Sequence, residues 1–148
     1  MKRTLAILAS SAALLASTLT LTGSAAQAAS ATNTTSYTTV MTQTRPVPSA
    51  GVLPGRLQLK IADDGTVSGW YMPEYSGDFV PVYGGRHGDQ LWLTIGNQGS
   101  VRVDATLQKD GRIVGTATDY SMSEFPYTGI PIAFDFVAKP TPNGQASY

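Results

Sequence analysis

His87 is the only histidine in the 148-residue chain, and there is no cysteine. It sits in Gly84-Gly85-Arg86-His87-Gly88-Asp89. A Ser-His-Asp relay needs a serine and an acid brought to the imidazole, and no residue pattern nominates the serine. A zinc site needs further His or Cys ligands, which the chain lacks. An exposed turn histidine is therefore expected. Asp63-Asp64-Gly65 has the acidic opening of a calcium loop, but residues 66–75 do not place alternating ligands and a closing glutamate where such a loop requires them. It reads as a turn. Glu74, Asp78, Asp119 and Glu124 fall in connecting segments, where a catalytic carboxylate pair could be assembled at one end of a fold. No spacing pairs any two of them, so solvated loop charge is the expectation. The residues nominate no catalytic group, no metal site and no cofactor.

Aromatic residues give a stronger hint. Successive side chains of a strand point to opposite faces, so in Gln90–Ile95 the residues Leu91, Leu93 and Ile95 share one face and Trp92 lies on the other. Trp70 falls away from Leu57, Leu59 and Ile61 in the register derived below. Tyr83 ends the short strand expected over Phe79–Tyr83 and joins the tryptophans as a candidate ligand or partner surface. Large aromatics outside a core mark such surfaces. The plainer account is that a leader, a proline-rich link or a neighbouring strand covers them, or that the tryptophan side is the true core.

Two similar hairpins must position these residues. LQLKIADDGTVSGWY and VDATLQKDGRIVGTA align at Asp64-Gly65 and Asp110-Gly111, with Gly69 matching Gly115. A two-residue loop would mix polar and apolar side chains on both faces. Three-residue loops, Asp63-Asp64-Gly65 and Lys109-Asp110-Gly111 with the glycine left-handed, pair Ile61 with Val67, Leu59 with Gly69 and Leu57 with Tyr71. The second hairpin then pairs Leu107 with Ile113, Ala105 with Gly115 and Val103 with Ala117. One apolar face results in each, and register is set by that face. Gly69 and Gly115 are expected to let the sheet bend or close.

The chain opens with Lys2 and Arg3, an apolar Leu5–Leu21 stretch and Ala26-Gln27-Ala28, the layout of a secretory signal peptide cleaved after Ala28. A secreted or periplasmic protein without disulfides is expected, with no integral membrane segment after cleavage. Loss of Lys2 and Arg3 leaves 8 basic against 10 acidic residues, which gives no electrostatic case for nucleic acid or an anionic membrane. Residues 29–36 read as a mobile leader and 37–44 as a possible strand. Pro46, Pro48, Pro54, Gly51 and Gly55 make a link over 45–55. A barrel domain is expected over 56–139, with a flexible tail over 140–148. Further links fall at 73–78, 96–99 and 120–131. Gly84–Gly88 reads as a turn, and Pro81 makes its strand an edge or faces a gap in the ladder.

No helical periodicity follows residue 28. An all-β antiparallel meander of about seven or eight strands is expected, closed into a small barrel to remove sheet edges, with a two-sheet sandwich as the alternative. Leu59–Tyr71, with its Asp-Gly turn, Val67-Ser68-Gly69 and closing aromatic, resembles a strand-turn-strand unit of avidin-like and lipocalin-like meander barrels. The Gly-x-Trp signature of those families is missing from 37–44, so no ligand residue carries over. The resemblance implies barrel topology. Three functions follow in order: an exported, non-catalytic binding protein for a small apolar ligand or a protein partner; a structural or interaction protein of the envelope with a solid core; and a secreted hydrolase with a loop-built site. A small barrel is just wide enough to fill with side chains or hold one small ligand.

Overall fold

Both hairpins adopt the three-residue loop. In the computed structural model, which describes residues 33–47, 51–121 and 129–142, Ile61 pairs with Val67, Leu59 with Gly69 and Leu57 with Tyr71. The second hairpin pairs Leu107 with Ile113, Ala105 with Gly115 and Val103 with Ala117. Gly65 N–H donates to Ala62 O at 2.9 Å and Gly111 N–H to Gln108 O at 3.0 Å. Their φ values are +85° and +82°, the left-handed region that glycine enters without a Cβ penalty. Asp64 and Asp110 brace the loops identically, each accepting the backbone N–H two residues on, from Thr66 at 2.8 Å and Arg112 at 3.1 Å. These bonds hold both carboxyls below the usual carboxylate range.

Eight antiparallel strands, each joined to the next, close into one barrel. They are β1 Asn33–Arg45, β2 Val52–Ile61, β3 Thr66–Pro73, β4 Val80–His87, β5 Gln90–Ile95, β6 Val101–Leu107, β7 Ile113–Asp119 and β8 Ile132–Pro140. Closure comes from β1, which pairs with β2 on one side and β8 on the other. The described residues contain no helix long and apolar enough to cross a membrane. Inside, Leu57, Leu59, Val67, Val82, Leu93, Val103, Ile113 and Phe136 are buried, so the middle of the barrel is packed with aliphatic side chains and one phenyl ring.

Three elements differ from the sequence expectation. First, β1 starts at Asn33 and β2 at Val52, so residues expected in a leader and a link are barrel strand. The inward positions of β1 are Tyr37, Thr39, Met41 and Gln43, all buried. Two of the four are polar, which blurs the alternation that would mark a strand. Second, Gly84 and Gly85 lie within β4 and the turn is only Gly88-Asp89. A Cβ on Gly84 would collide with Trp92 O and the Leu93 backbone, so this glycine lets two strands approach, as Gly69 and Gly115 do in the hairpins. Third, β4 is paired on both sides, which removes the edge alternative and leaves the other, a Pro81 nitrogen that faces a gap in the ladder. Pro81 O accepts Gly96 N–H at 2.9 Å, so its nitrogen points the same way, past Ile95 where β5 ends. The ring therefore forfeits only the reciprocal bond to Gly96 O, just beyond the end of β5, and that oxygen accepts Gly99 N–H at 3.1 Å instead.

Connections sort onto the two barrel ends. At one end lie the tight turns after β2, β4 and β6. At the other lie the links after β3 and β5, together with the strand ends that carry Leu53, Pro73, Val80, Ile95, Val101 and Asp119.

Candidate functional site

The link end carries an apolar cleft of about 260 Å³. Every strand contributes: Met41 from β1, Leu53 from β2, Tyr71 and Pro73 from β3, Val80 from β4, Ile95 from β5, Val101 from β6, Asp119 from β7 and Phe134 from β8. Tyr75, Gly96, Ser100 and Ser121 add the rim. Inward periodicity explains the apolar wall, because the inward-facing alternation of the strands continues to their ends around this mouth. Leu53, Val80 and Val101 are only partly buried against the core. The cleft is therefore a mouth over a solid floor, and the barrel is not hollow throughout.

Its polar groups are few and placed. Gly55 has no side chain, and the Tyr71 ring occupies the space a Cβ would take there. Burial pushes the Tyr71 phenol above its ordinary value, with the neighbouring Thr39 hydroxyl partly offsetting this and the charges of Tyr75 and Glu74 adding to it. Thr39 itself is 1% exposed, and its hydroxyl oxygen is the one buried side-chain polar atom without a hydrogen-bond partner among the described residues. Asp119 Oδ1 accepts both donors of Ser121, the N–H at 2.8 Å and the hydroxyl at 2.7 Å. Oδ2 keeps no partner among the described residues. Glu74 is held at the same end by its N–H, which donates to Pro54 O at 3.0 Å.

The tryptophans lie elsewhere, on the outer wall. Trp70 pairs with Gln58 and Pro81, Tyr83 with Ser68 and Thr94, and Trp92 with Gly85 and Asp104. Trp70, Tyr83 and Trp92 are thus successive diagonal neighbours across β3, β4 and β5, a separation within reach of aromatic side chains. Trp70 is half-buried. Its ring meets Phe79 edge to face at 4.9 Å between centroids, and its Nε1–H donates to Gln58 Oε1 at 2.9 Å. Trp92 is 48% exposed and lies across Gly85, where a Cβ would strike the indole. Tyr83 is 59% exposed.

His87 ends β4, exposed, beside a polar recess at the tight-turn end that also includes Asp63, Asp64 and Arg86. Among the described residues no group of three or more His, Cys, Asp or Glu side chains is placed to hold a metal ion. Of the loop acids, Asp119 lines the cleft and Glu74 flanks Tyr71. Glu124 and the expected signal peptide lie outside the described residues. The cleft was missed in the sequence because its residues come from eight strands. A signal existed: in a meander every second link shares an end, and the proline- and glycine-rich stretches that the sequence reads as links at 45–55, 73–78, 96–99 and 120–131 overlap the alternate connections after β1, β3, β5 and β7. No protein-family model, curated protein or solved structure matches this chain.

Proposed function

We propose that the protein is an exported, non-catalytic binding protein whose site is the barrel mouth. The observation that carries this is the cleft itself: a concave apolar wall built by all eight strands, with a few fixed polar groups, is the usual form of a small-molecule site. A cavity of about 150 Å³ suffices for benzene, so the mouth suits a ligand with one ring or a short chain. The test is a titration of the protein with indole, followed by backbone amide shifts. Shifts centred on Met41, Val80, Ile95, Val101 and Phe134 are expected, and Val101→Trp, which fills the mouth, abolishes them. Shifts scattered over the barrel, or unchanged by Val101→Trp, would refute the reading.

A second reading, a protein partner docked on the outer wall, is favoured by the diagonal run Trp70, Tyr83 and Trp92. Contiguous exposed aromatics are the residue types that anchor interfaces. Trp92→Ala and Tyr83→Ala would then lower partner capture from the growth medium and leave indole binding intact.

A further inference from the structure

We propose that the mouth selects amphipathic amines: an apolar body carrying a protonated amino group, with Asp119 as its counter-charge. The inference rests on the mouth being the binding site and goes further, to the charge of what enters it. Among the described residues that line the cleft, Asp119 is the only charged one, and no Lys, Arg or His joins it. Its carboxylate is prearranged. Oδ1 is fixed by the two Ser121 donors, and Oδ2 has no partner among the described residues. An ammonium group offers three donors and no acceptor, and a charge-assisted bond to a carboxylate is stronger than a neutral one.

Two further features favour a cation. Tyr71 and Tyr75 line the same cleft, and aromatic faces attract an ammonium group through the ring quadrupole. Glu74, anchored at the rim by Pro54 O, places a second negative charge close enough to act on the Tyr71 phenol. An anion in the cleft would meet Asp119 with no compensating charge among the described lining residues. Arg102 lies outside the mouth, in an adjoining groove of about 430 Å³ that shares only Ser100 and Ser121 with it.

Three probes with one apolar body and different heads separate the possibilities: phenylbutylamine, phenylbutanol and phenylbutyrate, titrated near neutral pH where the amine is protonated and the acid ionised. The amine is expected to bind about tenfold more tightly than the alcohol, the carboxylate most weakly, and Asp119→Asn to bring the amine level with the alcohol. Equal affinities for all three overturn the charge preference and leave the apolar mouth standing. An amine advantage that survives Asp119→Asn overturns the assignment to that residue. Tightest binding of the carboxylate overturns it in favour of Arg102. Absence of binding by all three removes both this inference and the reading beneath it.

Discussion

The ring of Tyr71 rests on the backbone of Gly55, so that a Cβ at Gly55 would stand 2.7 Å from Cε2 and 2.8 Å from Cζ of the phenol. Leu57, two residues on, is Tyr71's partner across the strands. The tyrosine therefore leans along its neighbour strand toward Thr39, which pairs with Gly55 from the other side. This lean forms the part of the mouth wall where the apolar floor meets a hydroxyl.

Gly55→Ala should displace that ring. Relief from glycine's backbone entropy works in the mutant's favour, but the ring is 5% exposed and has little room to retreat. Overpacking dominates, and a net loss of about 1–3 kcal/mol is expected in chemical denaturation. An unchanged midpoint would show that Tyr71 can swing out freely, in which case the mouth has no fixed wall.

The two matched turns should respond unequally to the same change. Alanine at Gly65 or Gly111 is forced into left-handed geometry, at about 1–2 kcal/mol each. Only Gly65 faces a second obstacle, since its Cβ would collide with the Arg86 carbonyl, whereas at Gly111 the nearest atom is Pro140 Cγ at 3.4 Å. Arg86 N–H also donates to Gly65 O at 2.7 Å, so β4 cannot shift away without losing that bond. Gly65→Ala should therefore lower the melting temperature more than Gly111→Ala, and equal losses would contradict the close approach.

These turns were legible in the sequence because local chemistry and the apolar pattern agreed on one register. Gly84 and Gly85 were not, since a glycine pair that admits a neighbouring backbone or an overlying indole looks the same in sequence as a pair that turns the chain. Strand β1 was half-legible, because Thr39 and Gln43 are interior residues of a polar type. The outward facing of Trp70 and Trp92 could be read from alternation alone. Asp119 could not be matched to Tyr71, because no spacing connects residues that line one cleft only when a barrel closes.

Acid stability should depend on the braced turns. Asp64 and Asp110 have folded-state pKa values below the ordinary carboxylate value, through hydrogen bonds from Thr66 and Arg112. Depressed values mean that their contribution is present above the unfolded pKa, about 3.9, and is lost as pH falls through the folded values. Asp64→Asn and Asp110→Asn keep an acceptor and remove the titration. The double variant should show a shallower loss of stability below about pH 4, and an identical acid limb would mean that neither brace persists in solution.

Alkaline conditions probe the interior in the opposite sense. Burial raises the Tyr37 and Tyr71 phenols above 10.0, so the unfolded chain ionises first. Their contribution is complete below about pH 10 and disappears as pH rises through the folded values. Ultraviolet titration of phenolate should show two tyrosines ionising late, one of them absent in Tyr71→Phe. If all tyrosines titrate together near pH 10, the mouth wall is open to water.

Trp70 and Trp92 should separate stability from recognition. Trp70 has a ring partner in Phe79 and an amide acceptor in Gln58. Removing it loses a half-buried indole and an edge-to-face pair and leaves Gln58 Oε1 without its donor, so Trp70→Ala is expected to cost about 1–3 kcal/mol, below the range for a fully buried tryptophan. Trp92 is nearly half exposed and covers Gly85. Its deletion uncovers backbone without opening the core, and a loss under about 1 kcal/mol is expected. Denaturation of both variants beside partner capture decides between the outer-wall roles. Capture lost in Trp92→Ala with the fold intact would identify the wall as a docking face. Capture unaffected in Trp92→Ala, with stability lost only in Trp70→Ala, would make the aromatic run a packing layer over β3–β5 and leave the mouth as the site of binding.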